Sequence, residues 1–210
     1  LLQQWKEEIL NYAPTLGETF VLEICTHLIA KIKTETNEAT LNQYAEMLIA
    51  LSQHITVDER NSVVSQFMGC IINNNLSTRK VAISNLEKIK DLGQTIFKTS
   101  LNNITRDLCD KNPNEILSFK EAFVALLNFR GLWTDAEWED LAGLVKRMLD
   151  LSNSEAIHAY GIELLKEIPH ATKYSSDLTS ELIVLAKSAS SPKDKEESRK
   201  LLVDRKAMLD

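Results

Sequence analysis

Apolar residues recur every three or four positions along most of the chain, and short polar stretches interrupt them at intervals. Such spacing places the apolar side chains on one face of an α-helix. The sequence contains no strand-like alternation of five or more residues. The pattern therefore predicts an all-α protein made of five helical hairpins and one further helix. The predicted hairpins occupy approximately residues 1–34, 37–74, 77–110, 112–151 and 152–189, and the final helix occupies 192–210.

The hairpin at 112–151 has the clearest helix-start signals. Asn112 is a favourable N-cap, and Glu115 is spaced to hydrogen-bond back to it. Pro113 suits the first helical position, because the N–H that it lacks would have no intrahelical partner. Gly131 is predicted to end this first helix, because glycine tolerates the left-handed turn that often follows a helix.

The second helix of the same hairpin begins with a different set of signals. Thr134 and Glu137 have the spacing of a capping box. Trp133 and Trp138 flank that box at the positions of a hydrophobic staple. Other parts of the chain carry similar caps, and the tryptophan pair occurs only here. We therefore treat this hairpin as the reference for the others.

The helix-start signals repeat along the chain at a nearly constant spacing. First helices are predicted to follow Asn37, Ser77, Asn112, Ser152 and Ser191. Second helices are predicted to follow Thr15, Thr56, Asp91, Thr134 and Thr172. In both series the signals lie about 40 residues apart, which is a spacing typical of arrays built from helical pairs. Two interleaved series with one common period indicate a repeat of two helices.

With this period the chain resembles the HEAT/armadillo family of helical repeats across essentially all 210 residues. The resemblance implies a single domain, 1–210, wound into a right-handed α–α superhelix whose second helices line the concave side. Two related families remain open, the MIF4G-like domains of translation and RNA-processing factors and the microtubule-binding TOG domains. TOG domains carry a tryptophan and basic residues on their turns, whereas Trp133 lies beside Asp135 and Glu137.

Charge and composition exclude some classes of function. The net charge of −6 argues against nonspecific nucleic-acid binding, which requires an excess of cations. No apolar run approaches the roughly 20 residues that cross a bilayer, so no membrane contact is predicted. The chain begins without Met inside a helical pattern, and we expect it to be a segment of a longer protein.

Cysteine usage predicts the compartment. Cys25, Cys70 and Cys109 are widely separated, form no CxxC pair and lie in apolar runs. Such residues are typical of buried free thiols rather than of disulfides or metal ligands. We therefore expect a reducing, intracellular location, either cytoplasmic or nuclear.

The sequence lacks the local motifs of an enzyme. Its four histidines are His27, His54, His158 and His170, and none has a metal-ligand spacing around it. His158, within the helix predicted from 154, has no HExxH-type partner. Glycine-rich phosphate loops are also missing. We predict a non-catalytic protein with no metal and no cofactor.

The leading hypothesis is a protein–protein interaction scaffold that binds an extended peptide, a helix or another subunit of a larger assembly. The alternative is a nucleic-acid-binding module that uses a basic strip on the concave face, interrupted by Glu23, Glu139 and Glu181. The candidate partner-binding residues are His27, Lys31, Asn102, Arg106, Trp133, Lys146 and Lys187. The final segment, 192–210, holds six basic and five acidic residues and is predicted to be a solvated helix with i, i+4 ion pairs. Its apolar residues need a cover, which either the fifth pair or a further helix would provide; they are Leu201, Leu202, Val203, Ala207 and Met208.

Overall fold

A computed structural model describes residues 2–169 and 175–207, and these residues form helices joined by short connections. No β-strand occurs among them, so the predicted all-α fold class is confirmed. The helices are α1 (Leu2–Tyr12), α2 (Glu18–Thr34), α3 (Glu38–Leu51), α4 (Val57–Met68), α5 (Leu76–Ser84), α6 (Leu86–Leu92), α7 (Gln94–Cys109), α8 (Pro113–Ile116), α9 (Lys120–Asn128), α10 (Asp135–Met148), α11 (Glu155–Glu167), α12 (Ser175–Ser188) and α13 (Pro192–Ala207).

The described residues group into two compact units. Unit 1 contains residues 2–104 and Glu121–Asn128. Unit 2 contains Thr105–Lys120, 129–169 and 175–207. The single-domain organisation and the right-handed superhelix concern the arrangement of these units, and both stay predictions.

Within unit 1, the first helices of successive pairs pack against each other, and so do the second helices. We call such helices helices of the same rank. The first helices make one row, in which α1 packs on α3 and α3 packs on α5. The second helices α2 and α4 also pack together, and α2 packs closely on α3. Fully buried apolar side chains, among them Leu28, Leu48 and Phe67, fill the space between these helices. Stacked helical pairs bury their apolar faces in this way.

Unit 2 has the same kind of packing. Here α10 packs on α11 and α12, and α13 packs on α11 and α12. The core between them includes Leu144, Val145, Leu165, Leu182 and Leu185. The pairs α10–α12 and α11–α13 again join helices of the same rank.

Asparagine side chains organise one connection in unit 1. The Asn75 side chain accepts hydrogen bonds from the backbone N–H groups of Ser77, at 2.9 Å, and Thr78, at 3.4 Å, so it caps α5. The predicted cap at Ser77 is therefore wrong. The Asn75 amide also donates to the Glu35 carbonyl at 2.9 Å. This one side chain thus joins two turns that are 40 residues apart.

Several of the predicted caps are confirmed. Thr56 and Thr134 each form a complete capping box with the glutamate three residues later. Asn37 accepts a hydrogen bond from the Thr40 N–H at 3.0 Å. Asn112 caps α8, and Ser191 accepts at its hydroxyl from the Asp194 N–H at 3.4 Å. These bonds join residues two or three positions apart, which is why sequence spacing predicts them.

Three further predicted caps are wrong by two residues. The residues that directly precede α2, α7 and α11 are Gly17, Gly93 and Ser154, instead of Thr15, Asp91 and Ser152. Short intervening structure accounts for the shift, since Thr15 ends a 3-10 helix and Asp91 lies inside α6. The predicted cap Thr172 lies outside the described residues. With these corrections both series of helix starts still repeat about every 40 residues, so the predicted period is confirmed.

Two details of the reference hairpin differ from the prediction. Gly131 lies in the 3-10 helix Arg130–Leu132, and no glycine among the described residues has a positive φ. The end of α9 needs no left-handed residue because the Leu132 N–H donates to the Phe129 carbonyl at 2.9 Å. Glu115 does not reach back to Asn112; its carboxylate lies 3.9 Å from Lys111 Nζ.

Candidate functional site

The candidate partner-binding residues divide between the two units. In unit 1, His27 and Lys31 on α2 are exposed, as the sequence analysis expected. Asn102 on α7 is half-buried, and its Oδ1 is buried without a hydrogen-bond partner in the described chain. In unit 2, three basic residues are exposed, namely Arg106, Lys146 and Lys187. The basic strip therefore has to be judged within each unit.

The exposed face of α2 is partly apolar. Phe20, Ile24, His27 and Lys31 lie three or four positions apart and share one side of the helix. The Phe20 side chain is 53% exposed, although periodicity alone groups it with the buried positions. Glu23, also exposed, adds a carboxylate beside this side of the helix. The surface thus offers an aromatic ring beside basic groups, a combination suited to protein side chains.

Trp133 is a packing residue in this structure. Its side chain is only 9% exposed, and its ring meets the Trp138 ring edge-on, with centroids 4.8 Å apart and an interplanar angle of 66°. This is the predicted hydrophobic staple beside the Thr134 capping box. Because the ring is inside unit 2, it offers almost no surface to a partner.

A small groove lies between α10 and α12 in unit 2. Its volume is about 110 Å³, and its lining consists of Glu139, Ala142, Gly143, Lys146, Asp177 and Leu178. Ala142 and Leu178 are almost completely buried and form an apolar base together with Gly143. Lys146 is one of the predicted partner-binding residues, and the other lining residues were missed. Nothing in the local sequence marks them, because they meet only when α10 packs on α12.

Two of the basic groups of unit 2, Lys146 and Arg106, lie near carboxylates. Lys146 Nζ lies 3.8 Å from Asp177 Oδ2. Desolvation raises the pKa of Asp140; Arg106 lowers it, and the nearby carboxylates of Asp110 and Glu137 raise it. The basic strip therefore runs through an acidic neighbourhood in this unit, and the Arg106 and Lys146 charges are locally compensated.

His158 has a structural environment that the sequence did not reveal. Its ring is buried, with Nδ1 2.7 Å from Asp194 Oδ2 and Nε2 2.8 Å from the Asp150 carbonyl oxygen. The backbone carbonyl oxygen can only accept, so Nε2 donates in that hydrogen bond. The Ser152 hydroxyl and N–H both donate hydrogen bonds to the Asp150 carboxylate, and these bonds lower its pKa. The pair His158–Asp194 joins α11 to α13.

The same histidine borders a cleft of about 310 Å³. Its lining comprises Leu151, Asn153, Glu155, His158, Ser190, Ser191 and Asp194. A histidine beside an aspartate and serines has the residue types of a hydrolytic triad. In such a triad the second ring nitrogen faces the nucleophile, whereas Nε2 of His158 donates to the Asp150 backbone carbonyl. This geometry is that of a structural ion pair.

The face of α13 that packs inward is largely polar. Asp194, Ser198, Leu201 and Arg205 lie along one side of the helix, and each is at most 9% exposed. Burial lowers the pKa of Arg205. The fifth pair covers one face of this helix, since α13 packs on α11 and α12. The prediction that the charged residues are solvated is wrong for Asp194 and Arg205, because tertiary packing buries charged groups that a local pattern assigns to solvent. The exposed pair Lys200–Glu196, 3.7 Å apart, does follow the predicted i, i+4 spacing.

The three thiols are free and buried, as the sequence predicted. Burial raises the pKa of Cys25 and Cys70 to about 11, and it also raises the pKa of Cys109. The reactive thiolate form is therefore disfavoured at all three positions. These residues act as small apolar core side chains.

Comparison with known proteins adds no family. No family model, curated protein or solved structure matches the chain. Over residues 2–169 and 175–207, no group of three or more His, Cys, Asp or Glu side chains is arranged to hold a metal ion. None of the described helices combines the length and apolar character needed to span a membrane. His170 lies outside the described residues.

Proposed function

We propose that this chain is a non-catalytic protein-binding scaffold of the HEAT-like kind, and that it serves as one segment of a larger assembly. The observation that carries this proposal is the packing of helices of the same rank within each unit. The helices that pack in this way begin about 40 residues apart, as in an array of helical pairs. Such stacking spreads side chains over an extended surface instead of enclosing a deep pocket.

The exposed faces of the second helices support a protein partner. In unit 1, α2 presents Phe20 together with His27 and Lys31. In unit 2, α10 and α12 present an apolar groove with charged groups at its edge. Apolar anchor positions beside polar groups suit an extended peptide or a helix of another protein.

The nucleic-acid alternative has weaker support. Binding to phosphates requires cations that are not already compensated. In unit 2, Lys146 faces Asp177, and Arg106 acts on the Asp140 carboxylate. The net charge of −6 also disfavours binding to phosphates. We therefore favour a protein partner over RNA or DNA.

An intracellular location, in the cytoplasm or the nucleus, belongs to the same proposal. It is supported by the three unpaired cysteines in the core. Free thiols of this kind are typical of proteins from reducing compartments.

The test is reconstitution of a defined complex. Proteins captured by the 210-residue chain are identified, purified and recombined with it, and the Kd is measured by calorimetry. We expect a stable complex in which the double substitution Phe20→Ala and His27→Ala weakens binding by about tenfold or more, because both side chains are exposed. The exposed Lys33→Ala on the same helix is the matched control.

Two results would contradict the proposal. One is that no purified protein forms a complex with the chain. The other is that duplex RNA or DNA binds tightly with an affinity that falls steeply as salt increases, which would favour the nucleic-acid alternative.

A further inference from the structure

Ser191 is followed by Pro192, and no other proline of the 210-residue chain follows a serine or threonine. The dipeptide lies where α12, which ends at Ser188, gives way to α13, which begins at Pro192. A proline favours extended backbone at the residue before it, and protein kinases bind their substrates in an extended conformation. Proline-directed kinases select a serine by the proline that follows it. The dipeptide is therefore a candidate phosphorylation site.

The segment around this serine is open to an enzyme. Ser190, Pro192 and Lys193 are exposed, and Ser191 is half-buried. The Ser191 hydroxyl accepts a hydrogen bond from the Asp194 N–H at 3.4 Å, which is long for such a bond and therefore weak. Little stability is lost when this hydroxyl turns towards a kinase.

The cleft of about 310 Å³ described above adjoins the serine and leaves room for a phosphoryl group. Ser191 is one of its lining residues, and the carboxylate-bearing residues Glu155 and Asp194 line it too. No lysine or arginine is among the lining residues. A phosphate on Ser191 would thus be added to a cleft whose charged side chains are mainly acidic.

The same phosphate would act on the contact that holds α13. The Asp194 carboxylate lies 2.7 Å from His158 Nδ1 and is only 4% exposed, and this pair joins α13 to α11. Phosphoserine carries a charge of about −1.5 to −2 at neutral pH, and Ser191 is three residues before Asp194. Buried charges are screened far less than exposed ones, so repulsion from Asp194 outweighs attraction to the exposed Lys193.

The start of α13 offers the phosphate little compensation. A helix N-terminus attracts anions through its free N–H groups. Here Pro192 has no N–H, and the Lys195 N–H already donates to the Ser191 carbonyl at 3.2 Å. The balance of charges therefore favours a weaker contact between α13 and the fifth pair after phosphorylation.

We propose that Ser191 is a phosphorylation site for a proline-directed protein kinase, and that its phosphorylation loosens the packing of α13 on α11 and α12. The Ser191 Oγ bonds to the γ-phosphorus of ATP while the bond from that phosphorus to the bridging oxygen of ADP breaks. The hydroxyl proton passes to a carboxylate of the kinase. This inference goes beyond the scaffold proposal and shares with it only the intracellular location, where ATP and kinases occur.

The first test is phosphorylation of the complete folded chain by a purified cyclin-dependent kinase with ATP and Mg²⁺. We expect mass spectrometry to locate one phosphate, on Ser191. Ser191→Ala should abolish its incorporation, whereas Ser190→Ala, at the neighbouring exposed serine, should leave it unchanged. A synthetic peptide of residues 186–199 shows what the kinase does without the fold. Phosphorylation of the peptide alone, of neither substrate, or of a different residue of the chain would overturn the proposal.

The second test is hydrogen exchange of the backbone amides in the fully phosphorylated chain. We expect exchange in α13 to become about tenfold faster, while α3 and α4 in unit 1 exchange as before. Glu155→Gln removes one carboxylate from the cleft, so phosphorylation should accelerate exchange less in this variant. Unchanged or slower exchange in α13 after phosphorylation would overturn the proposal.

Both tests use the free chain, so they do not depend on finding a protein partner. If no protein complex forms, the scaffold function fails and the phosphorylation results stand. If Ser191 is not phosphorylated, or its phosphate does not loosen α13, this inference fails and the scaffold function stands.

Discussion

Unit 2 contains two helices, α10 and α11, that each hold an interior glycine and one member of a charged pair, and the two differ in burial. At the seam where α11 packs on α10 and α13, a Cβ on Gly161 would lie only 3.0 Å from the Met148 Cβ, and the pair His158–Asp194 is at most 5% exposed. At the groove between α10 and α12, Gly143 has room for a Cβ and the pair Lys146–Asp177 is at least half exposed. Both pairs join a basic side chain to an aspartate, but the pair His158–Asp194 is buried and the pair Lys146–Asp177 is exposed.

The difference in burial changes what each pair contributes to stability. A buried ion pair must be matched atom by atom, because an unpaired charge in the interior is very costly. An exposed pair exchanges its partner with solvent at little cost. The buried pair therefore helps to hold α13 in place, whereas the pair at the groove remains in contact with solvent.

The largest effect is expected from breaking the buried pair. His158→Ala leaves the Asp194 carboxylate buried without its imidazole partner, so we expect a loss of about 3 to 5 kcal/mol in the free energy of unfolding. Urea denaturation followed by circular dichroism measures this loss.

The double variant His158→Ala/Asp194→Ala provides the control. It removes both charges, so its loss should be smaller than the sum of the two single losses. Additive losses would mean that the two side chains do not form a coupled pair.

An intermediate effect is expected at Gly161. Gly161→Ala forces a Cβ against Met148 and should destabilise the protein by about 1 to 3 kcal/mol through overpacking. Gly143→Ala is the matched variant, since the same chemical change in a helix of the same unit should be stabilising. Thermal unfolding of both variants measures the two signs. If both changes had the same sign, the contrast between seam and groove would be lost.

The smallest effect is expected at the exposed pair. Lys146→Ala and Asp177→Ala should each change the free energy of unfolding by less than about 0.5 kcal/mol, because the pair is more than one-third exposed and its atoms are 3.8 Å apart. Denaturation in low and high salt checks this, and the difference between wild type and variant should shrink further at high salt. A loss above about 1 kcal/mol would show that the pair stabilises the fold.

The sequence by itself determined the helical class and the repeat period. The capping boxes at Thr56 and Thr134 were predicted correctly because they involve residues three positions apart. The two-residue error at α5 arose because the Asn75 side chain caps the helix in place of Ser77. At α11, Ser154 directly precedes the helix and makes no side-chain cap bond. A single sequence predicts which residues can form local hydrogen bonds, but it does not predict which of two neighbouring residues caps the helix.

Only the tertiary structure decided which polar residues are buried and where an open groove lies. Trp133 and Asn102 were candidate surface residues, yet the ring of the first and the Oδ1 of the second are buried. His158 meets Asp194 across 36 residues of sequence, and Asp177 reaches Lys146 from a separate helix. Such contacts depend on how helices pack, because the same amphipathic pattern is compatible with many neighbours. The period therefore predicted a scaffold, and packing alone distinguished Gly143 from Gly161.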